Sequence, residues 1–407
     1  MRPSSGLLAH TQAVLARLLE FSAPADQTLS AYFHAHRTMG QRDRAFVAET
    51  AYAVLRRKRT LEAAAGSAAP RDLITAALVR VFGHSGRALE LDPDLSAKLR
   101  SPAEPSAAAQ AELPDWLWER LVAQQGESEA AAIARGLLAP APLDLRVNLA
   151  KRSREEVQTA LQLEAALTPL SPAGLRLAGK TAINRNPLFL DGSIEVQDEG
   201  SQLLAYLLAP RRGEMVADFC AGAGGKTLAI SMLMRGSGRV YAMDVSAKRL
   251  AALAPRAARA GVSNIHPLVL ADENDLRARR LAGKLDRVLV DAPCSGFGTL
   301  RRNPDLKWRY GPERVAALAE QQLSILRAAA RLLKPGGRLV YATCSILSEE
   351  NDAVVGRFLQ RSPEFEALSC ADLLAQQRIA LDTGRELRLW PHRHGTDGFF
   401  AAAFAKR

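Results

Sequence analysis

Through the first ~110 positions, apolar residues recur at three- and four-residue intervals and predict an all-helical segment. Leu15, Leu18 and Leu19 share one helical face; Ala45, Ala48, Ala51, Ala53 and Val54 share another. That second helix ends in Arg56, Arg57, Lys58 and Arg59. Basic side chains suit a helix C-terminus, and they would equally suit a phosphate-contacting patch. An Ala-, Pro- and Ser-rich stretch from Ser101 to Pro114 predicts a linker, after which Leu113–Pro114–Asp115–Trp116 opens a new helical segment. Beyond Pro140 and Pro142 the run Leu143–Val147 predicts a strand, Ser153–Leu161 a helix and Leu175–Ala178 a second strand. Together these form a small α+β element between Leu143 and Asn186.

From about Val196 the pattern becomes strand–helix alternation. Strands are predicted at Met215–Phe219, Arg239–Met243, His266–Leu270, Arg287–Val290, Gly337–Ala342 and Gly398–Phe404. Helices are predicted at Lys226–Arg235, Ala247–Ala260 and Glu313–Leu333. Short apolar strands separated by helices imply an α/β fold with a parallel, doubly wound sheet. The predicted domains are 1–110, helical; 111–190, linker helices and the α+β element; and 191–407, the α/β domain.

The chain has 407 residues, 48% of them hydrophobic, which supports sizeable cores and excludes a largely disordered chain. Lys and Arg number 54 against 43 Asp and Glu, a net charge of +11. The surplus is uneven: +4 over residues 1–110, −2 over 111–212 and +9 over 213–407. Such a balance permits a polyanionic partner without requiring one. The four cysteines are too few for a disulfide scaffold and form no CxxC zinc pattern, so no metal is expected. His10 and Arg17 interrupt the N-terminal stretch, which makes a poor secretory signal, and no apolar run approaches the ~20 residues of a membrane span. A cytoplasmic protein is expected.

Candidate chemistry gathers at the predicted strand tips. Asp218–Phe219–Cys220–Ala221–Gly222–Ala223–Gly224–Gly225–Lys226–Thr227 is a strand-to-helix turn. Glycines there let the backbone approach a ligand, and a helix N-terminus favours negative charge. A nucleoside-cofactor site, a P-loop and a purely structural turn all fit such a segment. A P-loop needs glycine where this chain has Cys220. Asp244 ends the second strand, where a carboxylate can accept from ribose hydroxyls. Asp272 follows the third strand, where it could meet an adenine amino group, and Asp291 follows the fourth. The four acids Asp218, Asp244, Asp272 and Asp291 at successive tips outline a nucleoside-binding edge.

Cys294, in Asp291–Ala292–Pro293–Cys294–Ser295–Gly296, and Cys344, in Thr343–Cys344–Ser345, fall on the same edge. A free cysteine is usually a small buried hydrophobe, as expected for Cys370. Two thiols beside a cofactor site suggest covalent catalysis. A thiolate adding to carbon 6 of cytosine makes an enamine whose carbon 5 attacks a methyl sulfonium. An acid such as Asp291, three residues before Cys294, could assist at ring nitrogen 3. The target base would have to leave its stack.

An ordered set of segments resembles the RsmB/Fmu (Nop2/Sun) family of RNA cytosine-5 methyltransferases, which use S-adenosyl-L-methionine. It comprises Asn186–Pro187, Val196–Gln197–Asp198–Glu199–Gly200–Ser201, Cys220–Lys226, Asp291–Gly296, Arg301–Arg302–Asn303–Pro304–Asp305, Thr343–Cys344–Ser345 and Asp397–Gly398–Phe399–Phe400. Gly40–Gln41–Arg42–Asp43–Arg44 and the helix through Arg59 resemble the NusB-like RNA-binding domain of the ribosomal branch. The resemblance implies a Rossmann-like class I methyltransferase domain, Cys344 as nucleophile and Cys294 as the group that assists enzyme release. It places Asp291 near both cofactor and base, and implies that Cys220 to Lys226, Asp244 and Asp272 hold S-adenosylmethionine. Many members carry proline where this chain has Ala223. The implied substrate is a cytosine in small-subunit (16S) ribosomal RNA, acted on by a monomer. Transfer RNA as substrate, a non-catalytic RNA-binding assembly factor and an NTPase are the alternatives. Arg277, Arg279, Arg280, Lys284, Arg301, Arg302, Lys307 and Arg309 flank the Pro-Cys strand, with Trp308 and Tyr310 among them as base-stacking or core aromatics.

Overall fold

The computed structural model describes residues 3–100, 105–179 and 181–407. The chain forms two compact units: residues 1–140 with 299–312, and residues 141–298 with 313–407.

The first unit is helical. Its principal helices are Ser5–Leu18, Ala25–Ala35, Gln41–Arg56, Lys58–Ala65, Pro70–Arg80, Asp115–Gln125 and Glu127–Leu138. Leu15, Val54, Leu61, Leu73 and Leu78 pack into one cluster, and Val14, Leu29, Tyr32, Val47 and Leu55 into another. The linker expected over Ser101–Pro114 lies partly outside the described residues and contains a short helix, Ala107–Gln110. The basic run 56–59 is largely spent inside the unit. Arg56 donates to the Arg301 carbonyl at 3.0 Å, Lys58 pairs with Glu62 at 2.7 Å and Arg59 with Asp115 at 2.6 Å. Arg57 remains exposed.

Residues 299–312 complete this unit. Lys307 is buried and donates to the Arg56 carbonyl at 3.0 Å; Trp308 Nε1 donates to the Leu55 carbonyl at 2.9 Å. Asp305 accepts from the Ala25 amide at 3.2 Å. The indole lies near Phe21, with ring centroids 6.5 Å apart. The segment read above as a basic flank with base-stacking or core aromatics is partly a packed insertion: Arg301 and Lys307 are buried, and the indole N–H is engaged.

The second unit carries two sheets. Strands β1 (Leu143–Val147), β2 (Ala165–Leu167), β3 (Gly174–Leu177) and β4 (Ile194–Val196) form an antiparallel sheet in the order β2-β3-β1-β4. Leu145, Val147, Leu175 and Ile194 pack there with Val157 and Leu161. The helix Arg154–Ala160 starts at a capping box in which Ser153 and Glu156 satisfy each other's backbone amides.

The larger sheet contains β5 (Met215–Asp218), β6 (Arg239–Asp244), β7 (Ile265–Val269), β8 (Leu285–Asp291), β9 (Leu333–Thr343), β10 (Phe365–Leu368) and β12 (Phe399–Lys406) in the order β10-β12-β9-β8-β5-β6-β7. β11 (Leu387–Leu389) pairs only with β12. Strands β5 to β9 are parallel, as the strand–helix alternation predicts, and β12 runs antiparallel beside β9. This is a Rossmann-like sheet. The order reverses at β5, and ligands bind beyond the carboxyl ends of strands at such a point.

Two predicted elements differ in detail. The helix expected over Ala247–Ala260 breaks at Ala252 into Ala247–Ala251 and Leu253–Ala260. Pro255 has no N–H for the Ala251 carbonyl, and it fits only within the first turn of a new helix. The strand expected from Gly337 begins at Leu333, because Leu333 pairs with Leu285 and the Pro335–Gly336–Gly337 turn is accommodated as a register shift before Arg338 pairs with Arg287. No helix among the described residues is long and apolar enough to cross a membrane.

Candidate active site

The carboxyl ends of β5, β6, β8 and β9 line one cleft of about 330 Å³. Its walls include Phe219, Cys220, Asp244, Asp291, Cys294 and Cys344, all but Phe219 named from the sequence. They also include Val245, Arg249, Leu270, Glu273, Gln321 and Ile325, which motif reading missed. One signal was available: Val245 is a bulky apolar residue directly after the strand-tip acid, and it is 63% exposed at the cleft. Asp272 is exposed and does not line the cleft; its carboxylate closes a turn on the Asn274 amide at 2.7 Å. Its neighbour Glu273 reaches the wall instead.

The glycine-rich turn is held by its surroundings. Asp244 accepts from the Gly222 amide and from the Ser246 amide, each at 2.7 Å. Gly224 has φ +85°, and a Cβ there would run into the buried Leu253 side chain. Arg146 is buried and donates to the Gly225 carbonyl at 2.7 Å, while Arg256 donates to the Ala223 carbonyl. The small antiparallel sheet and the turn are thus tied through β1.

These residues fit a nucleoside cofactor. A carboxylate offers about four lone-pair directions, so Asp244 with two filled by amides can still accept from vicinal hydroxyls. Leu270 and Ile325 give the cleft apolar wall for a flat base. The cleft volume falls at the small end of the ~300–1,000 Å³ usual for ligand sites.

Lys226 meets Asp291 at 2.6 Å. Burial pulls the ammonium down, but Asp291, Asp218 and Cys344 outweigh it and hold its pKa above the ordinary value. Lys226 therefore stays charged beside Asp291. The Sγ atoms of Cys294 and Cys344 are 3.4 Å apart. The hydrogen bond to Cys344, burial, and the charges of Cys344, Glu350 and Asp291 push the Cys294 thiol well up. Either thiol can be the donor across that contact. Cys220 is also pushed well up, first by burial and then by Asp291, Asp218 and Asp244, which makes it a poor nucleophile. Cys370 is buried away from the cleft, its sulfur 3.7 Å from the Ala401 carbonyl.

Cys344 is also clamped through its backbone. Its carbonyl accepts from Gly298 at 2.8 Å, and the Gly298 carbonyl accepts from Gly398 at 2.8 Å. A Cβ on Gly398 would come within 2.8 Å of the Gly298 Cα, so both positions need glycine.

Asp218, under the cleft, gives a pH signature. Burial pushes its carboxyl up to about 7, Thr227 opposes this with a hydrogen bond and Asp291 adds to it. An acid raised above its ordinary value of 3.8 contributes stability that is complete below that value and lost as pH rises through about 7. The stability gap between Asp218→Asn and the natural chain should therefore grow in favour of the variant from about pH 4 to pH 8, toward roughly 4 kcal/mol. Chemical denaturation across that range measures it, and a pH-independent gap would refute the assignment.

Comparison with known proteins bears on what this site does. The family model for the 16S rRNA methyltransferase RsmB/F matches residues 205–405. A second, for an RsmF/B-like ferredoxin-like domain, matches residues 113–184. A probable ribosomal RNA small subunit methyltransferase B of Synechocystis is 40% identical over 310 residues, covering 74% of this chain and 68% of that protein. The corresponding Bacillus subtilis protein is 38% identical over 304 residues, 72% of this chain and 66% of its own length. The matches thus span about two thirds of these relatives. The crystal structure of a methyltransferase homolog protein from Pyrococcus horikoshii is 29% identical with a TM-score of 0.64, over 74% of this chain and 98% of that one.

Proposed function

Since the chain belongs to the RsmB/F family of S-adenosylmethionine-dependent methyltransferases, we propose that it methylates carbon 5 of a cytosine in 16S ribosomal RNA through a covalent bond from Cys344 to carbon 6. The observation that carries this reading is the thiol pair: two sulfurs 3.4 Å apart on a cleft wall beside the Lys226–Asp291 pair.

Glycine-rich backbone, Asp244 and the apolar wall at Leu270 and Ile325 would hold S-adenosylmethionine, which would supply an electrophilic methyl group. Cys344 gives up its proton as its sulfur electron pair forms a bond to carbon 6. The ring electrons move to carbon 5, which becomes nucleophilic. Asp291 lines the same cleft, where its carboxylate takes the Cys344 proton as that bond forms and passes it to ring nitrogen 3. After methylation the carbon-5 proton leaves to a base, its electron pair re-forms the ring double bond, and the carbon–sulfur bond to Cys344 breaks. Cys294, beside the departing sulfur, is the group assigned to this release.

The test is methyl transfer from labelled S-adenosylmethionine to 16S ribosomal RNA, followed by digestion to nucleosides. Label in 5-methylcytidine is the expected result. Label in another nucleoside, or in transfer RNA alone, would refute the proposal.

A further inference from the structure

Both cysteine loops converge on a residue that no motif singled out. Glu350 is fully buried and follows β9 by a short loop. Its Oε1 accepts from the Ser295 amide at 2.8 Å and from Gln322 Nε2 at 2.9 Å. Its Oε2 accepts from the Ser295 hydroxyl at 2.5 Å and from the Ser345 hydroxyl. Ser295 directly follows Cys294, and Ser345 directly follows Cys344. Gln322 also donates to the carbonyl of Pro293, the residue before Cys294, at 2.9 Å. The Glu350 backbone is itself fixed, since Tyr341 donates to its carbonyl at 2.6 Å.

One carboxylate therefore joins the residues next to both thiols, with four donors on two oxygens. A buried network of this kind is rigid when every member is satisfied. A carboxylate is suited to the task because both oxygens only accept, and all four neighbours donate. Glu350, Ser295, Ser345 and Gln322 are absent from the cleft's lining, which the network reaches only through Pro293.

The geometry points to Glu350 as the positioning residue that sets the spacing of Cys344 and Cys294, an inference that rests on the covalent reading above. Cys344 must reach carbon 6 and Cys294 must stand by for release, so a carboxylate that ties both loops governs both half-reactions. Misplacing a reacting group by about 1 Å costs on the order of 100-fold in rate.

Glu350→Gln keeps the shape but turns one acceptor into a donor facing other donors. The expected result on the full chain is a roughly 100-fold loss of single-turnover methyl transfer, with the KM for RNA and the calorimetric affinity for S-adenosylmethionine unchanged. In a Cys294→Ala background, the same change should slow formation of the denaturation-resistant RNA–protein adduct by a similar factor. Should Glu350→Gln not fold, Ser345→Ala removes a single donor, and a smaller loss in turnover with intact cofactor affinity is expected. Wild-type turnover in whichever variant folds, or a loss that follows cofactor affinity or melting temperature instead of turnover, would overturn the inference. Cys344→Ala keeps the two claims apart: if that variant still methylates, the covalent reading has failed; if it is inactive while Glu350→Gln is normal, only the positioning role has.

Discussion

Cys344→Ala should lose methyl transfer by a factor on the order of 10⁶, the scale seen when other covalent catalysts lose their nucleophile. Cytosine carbon 5 is too electron-poor to attack a sulfonium until a nucleophile has added at carbon 6. No other thiol in the cleft can stand in. Cys294 holds its proton under the hydrogen bond to Cys344, burial and the charges of Cys344, Glu350 and Asp291, and Cys220 is suppressed by burial and three carboxylates. The proposed cofactor contacts lie elsewhere, on the glycine-rich turn and Asp244, so binding of S-adenosylmethionine should survive. Filter-binding of labelled RNA product gives the rate, and calorimetry gives the affinity. Turnover within tenfold of the natural chain would refute Cys344 as nucleophile.

Cys294→Ala should have an opposite signature: chemistry begins and does not finish. Bond formation by Cys344 and methylation remain possible, but the step that removes the carbon-5 proton and expels Cys344 loses its assisting group. The RNA should then stay bonded to the protein and run as a slow, labelled band on a denaturing gel, approaching one RNA per protein. Removing Cys344 as well should abolish the band, because the bond is then never made. Normal multiple turnover by Cys294→Ala with no such band would refute the assigned role.

The parallel strands were legible because each is a short apolar run with a polar residue at its tip, as in Met215–Asp218 and Leu285–Asp291. The fold class followed from their alternation with helices. Strands β10 and β11 were not legible, being only Phe365–Leu368 and Leu387–Leu389 and stabilised by pairing with β12 more than by their own pattern. Within the site, residues fixed by backbone position were readable: Asp244, Asp291, Cys294 and Cys344 sit at or just past strand ends. Residues that reach the site by side-chain direction were not. Glu273 and Asp272 are adjacent, and only the course of the loop decides which faces the cleft. Gln321 and Ile325 lie on the long helix Pro312–Ala330, where helical periodicity reports burial without identifying the neighbour. Lys307 and Trp308 stayed open for a related reason, since a basic and aromatic run reads equally as an RNA surface or as core until its partners in the helical unit are known.

The insertion of residues 299–312 into the helical unit also has a consequence for biosynthesis. Glu112 is buried among the helices, where burial raises its carboxyl and the charge of Lys307 offsets part of that rise. The ribosome makes Glu112 long before Lys307. At typical translation rates of about 5–20 residues per second, the nascent helices wait roughly 10–40 s for that cation and for the Trp308 indole that caps the Leu55 carbonyl. During that interval the helical unit is an unfinished vessel, and its last wall arrives only after the first four strands of the methyltransferase sheet have been made.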